Sequence, residues 1–331
     1  MSRLPSSHLL AAIAAPALLV IACAAPAGSR ATARATATSA PRVLLDVPLS
    51  RSIGGRTAPS PLVSVRVAKR DLRMFVDTGA SHHVISASLV ASLGLRRGAA
   101  EKGSDHGLHQ ITAFDIGHVS ATVGGAPLEL REVKGVRLAA MFDKAGVGGF
   151  ISPQRLQRYG AVVLDFPARR MLVLARASFA QAKSWLVRRA GKAAVRSAEL
   201  LRGHTPTYLY ISASLCGRAP TKAVLDTGGS KTEVTRAYVG GDAPASAPTA
   251  GSAFGASGRA YKSHKLRGQQ LCIAGERHDN TTLWQREHVT EAGADRTAVG
   301  LQLGYDILGQ YVIVIPSEAQ RPLLMARAKG R

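Results

Sequence analysis

The chain has 331 residues, 46% of them hydrophobic, with Lys and Arg numbering 43 against 21 Asp and Glu for a net charge of +22. That is long enough for about two ordinary domains and apolar enough for real cores, which excludes a disordered polyelectrolyte. The charge alone would suggest nucleic acid, but the basic residues are scattered, with no aromatic interleaving and no nucleic-acid module, so nucleic acid is excluded as the expected partner.

The first segment, "MSRLPSSHLLAAIAAPALLVIACAAPAGS", places a basic residue before a short apolar run from Leu9 to Ala22 that Pro16 interrupts. The run is too short and broken for a spanning helix and reads as a signal peptide over 1–22, hence an exported, periplasmic or cell-envelope protein. Val20-Ile21-Ala22-Cys23 is similar to a bacterial lipobox, in which Cys23 becomes the lipidated N-terminus and attaches the chain to a membrane. Ordinary cleavage near Ala22-Cys23-Ala24 is the alternative. Residues 23–42 are small and polar without hydrophobic period, as a flexible tether would be.

From Val43 the pattern turns to short β-rich runs, "VLLDVPL", "LVSVRVA" and "LRMFVD". The last ends in Asp77-Thr78-Gly79, and "KAVLDTGGS" in the second half ends in Asp226-Thr227-Gly228. The two aspartates stand 149 residues apart, as do Pro167 and Pro316 in "AVVLDFPARRM" and "YVIVIPSEAQR". Each half also has a strand hairpin before its aspartate and a glycine patch after it, near Gly103 and near Gly251. These landmarks predict two copies of one all-β unit of about 130 residues, over 43–175 and 196–331. The segment 176–195 between them, "ASFAQAKSWLVRRAGKAAVR" within its surroundings, reads as an interlobe connector, with a basic amphipathic helix on a membrane as the alternative.

One Asp-Thr-Gly is an ordinary turn. Two, each behind an apolar strand and at matched places in a repeat, resemble the loops of the retropepsin-like, pepsin-related aspartic proteases, with both lobes on one polypeptide. The motifs are "FVDTGAS", "VLDTGGS" and, downstream in the second half, "LGYDILGQYVIVI" with its Gly-x-Asp-x-Leu element. The chain resembles in particular the exported aspartyl protease family proteins of bacteria. The first-half counterpart of the downstream element, "GVGGFISPQRLQRYGAVVLDF", has Gly148 where a bulky residue is usual and lacks the aspartate.

The resemblance implies two tandem acid-protease β-barrel lobes about a pseudo-twofold axis, with the site between them. It implies Asp77 and Asp226 as a dyad sharing one proton and activating water, without cofactor or metal. Thr78 and Thr227 would bond across the loops, Gly79 and Gly228 would shape them, and the glycine patches would be flap tips over an extended peptide; the bland alternative for the patches is ordinary hairpin loops. Where pepsin-like enzymes often carry a serine that bonds the aspartate, this chain has Ala80 and Gly229, which predicts a lost donor and a milder working pH; Ser81 and Ser230 read as structural hydroxyls. His82, His83, His278 and His288 lack metal-ligand spacing.

Cys216 and Cys272 either pair, in an oxidising compartment, or remain two buried thiols. The expected protein is a monomeric aspartic endopeptidase acting on peptides. A catalytically silent peptide-binding or regulatory module, and lobes that pair with a twin chain, are the competing arrangements.

Overall fold

The computed structural model describes residues 40–105, 109–202, 207–241, 249–286, 299–318 and 321–328. The leader, Cys23 and nearly all of the tether lie outside the described residues, as does His288.

Strands β1 (Val43–Pro48), β2 (Ser50–Ile53), β3 (Arg56–Val67) and β4 (Arg70–Val76) lead into the first Asp-Thr-Gly loop. After it come β5 (Val84–Ser86), α1 (Ala87–Val90), β6 (Ala100–Ser104), β7 (Gln110–Val123), β8 (Ala126–Val136), α2 (Ala140–Lys144) and β9 (Val147–Ile151). A 3-10 stretch, Pro153–Tyr159, precedes the hairpin of β10 (Gly160–Asp165) and β11 (Arg170–Ala175), and α3 (Phe179–Ala190) and β12 (Val195–Ala198) cross to the second half. There β13 (Tyr210–Leu215) and β14 (Thr221–Leu225) lead into the second loop. They are followed by β15 (Glu233–Thr235), α4 (Arg236–Val239), β16 (Thr249–Phe254), β17 (Ala260–Ile273), β18 (Glu276–Arg286), β19 (Val299–Leu303), α5 (Tyr305–Leu308), β20 (Tyr311–Ile315) and β21 (Leu323–Arg327).

Alternation of apolar and polar residues makes these segments strands rather than helices. In β3, Val63, Val65 and Val67 are buried while Ser64 and Arg66 between them are exposed. A sheet so patterned must close or be covered, and here it closes twice. The order β3-β4-β9-β5-β8-β7 is completed by pairing of β3 with β7 at Val65↔Val123, Arg66↔Thr122 and Val67↔Ala121. The order β13-β14-β19-β15-β18-β17 repeats it and is completed by β13 with β17 at Ala213↔Ile273, Ser214↔Cys272 and Leu215↔Leu271. The protein is therefore an all-β, two-lobed fold built twice from one plan.

A third sheet, β1-β11-β10-β20-β21-β12, takes three strands from each half and meets across β10 and β20, paired at Val163↔Val314 and Leu164↔Ile313. Every residue of β10 and of β20 is buried, because this sheet is covered on both faces. Val162 and Leu164 face the main core, whereas Ala161 and Val163 face Ala182 and Leu186 of α3. Helix α3 starts on a capping box of Ser178 and Gln181, and Arg189 near its end bonds Asp165 at 2.6 Å. Its apolar face is thus spent on the sheet, and the segment between the halves serves as a cover for it. Among the described residues no helix is long and apolar enough to cross a membrane.

Candidate active site

The two Asp-Thr-Gly loops arise from equivalent parallel strand pairs. Asp77 follows β4 and its N–H donates to Ile151 O of β9 at 2.8 Å; Asp226 follows β14 and its N–H donates to Leu303 O of β19 at 2.9 Å. Each carboxylate then accepts from the loop it heads, Asp77 Oδ1 from Gly79 N–H at 2.8 Å and Asp226 Oδ1 from Gly229 N–H at 2.9 Å.

The loops are locked to each other by their threonines, both fully buried. Thr78 N–H donates to Thr227 Oγ1 and Thr227 N–H to Thr78 Oγ1, each at 3.0 Å. The same hydroxyls donate to Leu225 O at 2.8 Å and Val76 O at 2.7 Å in the opposite strand. Four reciprocal bonds in a dry interior leave the loops a single relative position.

The glycines decide how close the carboxylates come. A β-carbon at Gly79 would lie 2.6 Å from Asp226 Oδ1, and one at Gly228 would lie 2.5 Å from Asp77 Oδ1. Each carboxylate therefore rests on the backbone of the other lobe's loop, where only glycine fits. Ser60, buried in β3, donates to Gly228 O at 2.6 Å and steadies that contact.

The halves support their loops differently. In the second, the Asp306 carboxylate accepts from Thr232 N–H at 3.0 Å and from its hydroxyl at 2.6 Å. In the first, where that aspartate is missing, Gln154 donates its amide to Thr78 O at 3.1 Å and Ala80 O at 2.9 Å, and Arg155 donates to Ser81 O at 2.8 Å. The unusual Gly148 is accommodated by Leu72, whose Cβ would stand 3.0 Å from any β-carbon there. The first-half element is thus rebuilt rather than absent.

The expectation of a lost donor at Ala80 and Gly229 needs correction. Gln302 of β19, buried, donates its amide to Asp226 Oδ2 at 2.6 Å, so a side chain from a neighbouring strand serves the second aspartate. Its register equivalent in the first lobe is Phe150, which has no donor to offer.

Above the loops lies a cleft of about 700 Å³, lined by both aspartates and by residues of both lobes. The hairpin β6–β7, whose tip is only partly within the described residues, and the hairpin β16–β17 reach over it and meet. Ser257 N–H donates to Asp105 Oδ2 at 3.0 Å, and beside them Ala139 N–H, from the loop between β8 and α2, donates to Ala256 O at 2.9 Å. Both glycine patches therefore contribute to the cleft, through Gly103 and Gly255.

The histidines have other engagements. His83 is buried and its Nδ1 accepts from Ser152 N–H at 3.2 Å; burial, with Arg155 nearby, pushes its pKa down to about 3. His278 lies 2.6 Å from the Tyr311 hydroxyl and burial lowers it to about 4. His82 bonds Ser81 Oγ at 2.9 Å. Among the described residues no group of three or more His, Cys, Asp or Glu could hold a metal ion. Cys216 and Cys272 are joined in a disulfide across the β13–β17 closure.

Residues 63–145 match the family model described as "gag-polyprotein putative aspartyl protease". The matched stretch begins within β3, carries Asp77-Thr78-Gly79 and ends just after α2, so it is confined to the first lobe and spans well under half of the chain. No curated protein matches the chain. The similarity speaks for an aspartyl protease-like domain in the first lobe, and the reciprocal geometry above adds the second lobe to it.

Gln302, Gln154 and the buried Glu233–Arg286 pair escaped the sequence reading. One signal was available: "VGLQL" is a fully buried strand with a glutamine in it, and a buried amide needs a partner.

Proposed function

We propose that the protein is an aspartic endopeptidase, hydrolysing peptide bonds with a water activated between Asp77 and Asp226. The carrying observation is the crossed contact of each carboxylate with the other loop's glycine, at the bottom of a cleft that both lobes build. Two carboxylates held so near one another cannot both ionise and share a proton. The charged one takes a proton from the attacking water while the protonated one donates to the scissile carbonyl oxygen. The tetrahedral diol collapses as the carboxyl protonated by the water gives that proton to the leaving nitrogen and a diol hydroxyl gives its own to the other carboxylate, so that the pair again holds one proton. Thr78 and Thr227 fix the separation, and Gln302 holds the outer oxygen of Asp226 in its orientation.

The test is cleavage of a peptide library across pH by the wild-type chain against Asp77→Asn. Site-specific cleavage absent from the variant supports the reading. A chain that binds peptides and never cleaves them would instead be the silent two-lobed binding module.

Export and lipid attachment through Cys23 belong to the same reading. They are supported by the leader pattern and by the Cys216–Cys272 bond, which suits an oxidising compartment. Expressed in a bacterium, the wild type should partition with membranes and Cys23→Ala should not; equal solubility of the two would end the anchor.

A further inference from the structure

The two walls of the cleft are built from register-equivalent positions carrying opposite chemistry. Val84 pairs with Lys134 and Phe150 in the first lobe, as Glu233 pairs with Trp284 and Gln302 in the second. Ser86 pairs with Val136 where Thr235 pairs with Arg286, and one residue inward from the last hairpin pairs stand Ile111 and Tyr261. Four apolar residues, Val84, Ile111, Val136 and Phe150, are therefore replaced by Glu233, Tyr261, Arg286 and Gln302.

In the first lobe those four pack with Ala113 and Phe142, and Phe142 and Phe75 set their rings around Phe150 at 5.9 and 6.1 Å. The surface this cluster turns to the cleft is apolar, and Met141 at its mouth is 53% exposed, one of the two large hydrophobic side chains so exposed among the described residues. Lys134, paired with Glu101 at 3.0 Å, lines the cleft beside it.

In the second lobe the same space is filled by a hydrogen-bonded group. Arg286 Nη1 donates to Glu233 Oε2 at 2.5 Å, Tyr261 donates its hydroxyl to Glu233 Oε1 at 3.0 Å, and the Arg286 guanidinium lies 3.9 Å from the Tyr261 ring centre. Glu233 and Arg286 are almost completely buried, so they are spent on each other. The wall is lined by Tyr261 and Gln302, bonded to Glu233 and to Asp226, and by Lys231, whose ammonium sits 3.4 Å over Trp284. A bulky apolar side chain there would strip water from polar groups without replacing it.

We propose that the cleft reads its peptide directionally: the first-lobe side takes a bulky apolar or aromatic side chain, and the second-lobe side takes a hydrogen-bonding one. This rests on the peptidase reading only for where a peptide would lie. The geometry that carries it is the exchange of an apolar quartet for a polar one across the pseudo-twofold axis.

The experiment uses peptides with a reduced, non-cleavable amide, carrying Phe–Phe, Phe–Asn, Asn–Phe or Asn–Asn around that bond, with binding to the full chain measured by calorimetry. One mixed order should bind on the order of tenfold or more tighter than its reverse and than Phe–Phe. Equal binding of the two orders, or Phe–Phe as the best ligand, overturns the proposal. Glu233→Val with Tyr261→Ile and Arg286→Val gives the second lobe the first lobe's residues, and should raise Phe–Phe binding to the level of the best mixed peptide. Should that triple variant fail to fold, Phe150→Ala, which opens the apolar wall alone, must weaken the preferred mixed peptide several-fold and leave Asn–Asn unmoved; no change overturns the proposal as well. Turnover of the matching ordinary peptides is read separately. Its absence at every pH would defeat the peptidase reading while the binding series still decides this one.

Discussion

Gly228 of one lobe lies so close to Asp77 of the other that a β-carbon on it would stand 2.4 Å from the carboxylate carbon. The obstructed atoms are those that the proposed mechanism uses, and Gly79 N–H holds one of them at 2.8 Å. Gly228→Ala should push the Asp77 carboxylate aside by around an ångström and lower kcat/KM about a hundredfold or more. The overpacking itself should cost only about 1–3 kcal/mol of stability. Kinetics beside thermal unfolding separate the two effects, and a fully active Gly228→Ala would mean that the carboxylate need not sit where it does.

The threonine lock predicts a coupling. Thr78→Val keeps the shape but removes the hydroxyl that donates to Leu225 O and accepts from Thr227 N–H, leaving two buried polar groups unpaired at about 1–3 kcal/mol each. Thr227→Val does the same on the other side. Because both hydroxyls belong to one network, the double variant should be destabilised by clearly less than the two single losses added together. Urea unfolding of the three variants measures this, and strict additivity would show that the loops are not held as a unit.

Acid should weaken the first lobe through His83. Burial lowers its pKa from about 6.5 in an unfolded chain to about 3, and its Nδ1 must stay unprotonated to accept from Ser152 N–H. Below pH 6.5 the unfolded chain binds a proton that the folded one refuses. The stability His83 confers is thus complete above that pH and is lost as pH falls toward 3, by about 1.4 kcal/mol per pH unit. His278, lowered for the same reason to about 4, acts in the same direction. His83→Thr, which installs the residue found at the matching place in the second lobe, Thr232, should flatten this acid limb whatever it does to stability at neutral pH. An unchanged slope between pH 6.5 and 4 would remove His83 from the account.

How legible this was depended on whether a residue's partner lies in its own repeat. Asp77 and Asp226, and the strand rings around them, could be read because alternation and a spacing of 149 residues are one-dimensional signals. The shared sheet of β10 and β20 was visible only as two apolar runs, since nothing in "AVVLDF" or "YVIVI" says that they pair with each other. Gln302 and Gln154 have roles that no motif announces: Gln302 serves Asp226 from a neighbouring strand in place of a loop serine, and Gln154, at the place Asp306 holds in the other half, bonds the loop through an amide instead of a carboxylate. The polar quartet was hidden for the same reason, as Glu233 and Arg286 are 53 residues apart and meet only through the β15–β18 pairing.

The Cys216–Cys272 bond joins residues 56 apart and lies at the seam where β13 pairs with β17 over three residues. The first lobe closes at the equivalent seam with Val65, Arg66 and Val67 opposite Val123, Thr122 and Ala121 and has no cysteine there. Replacing both cysteines by alanine should therefore loosen the second ring selectively, at about 2–4 kcal/mol. Hydrogen exchange should quicken at Ala213–Leu215 and spare Val65–Val67. Equal protection at both seams, or two alkylatable thiols in the folded wild type, would count against a structural role.

The proposed dyad gives the sharpest test, because its chemistry would be a property of the pair. Asp77→Asn and Asp226→Asn keep the shape of each side chain and its acceptor for Gly79 N–H or Gly229 N–H, but remove the carboxylate that in the proposed mechanism takes and returns the proton. Each should abolish peptide cleavage with the unfolding transition retained. The double variant should be no worse than either single one, since two groups that exchange one proton fail together. Peptides with a tetrahedral hydroxyl carbon in place of the scissile carbonyl should inhibit the wild type and bind either Asn variant much less tightly, because the hydroxyl then loses one ionisable partner. Serine-directed reagents and chelators should leave cleavage unchanged. Full activity in one single variant would mean that one carboxylate suffices, and loss of activity with a chelator would move the chemistry to a metal; either outcome defeats the aspartic mechanism.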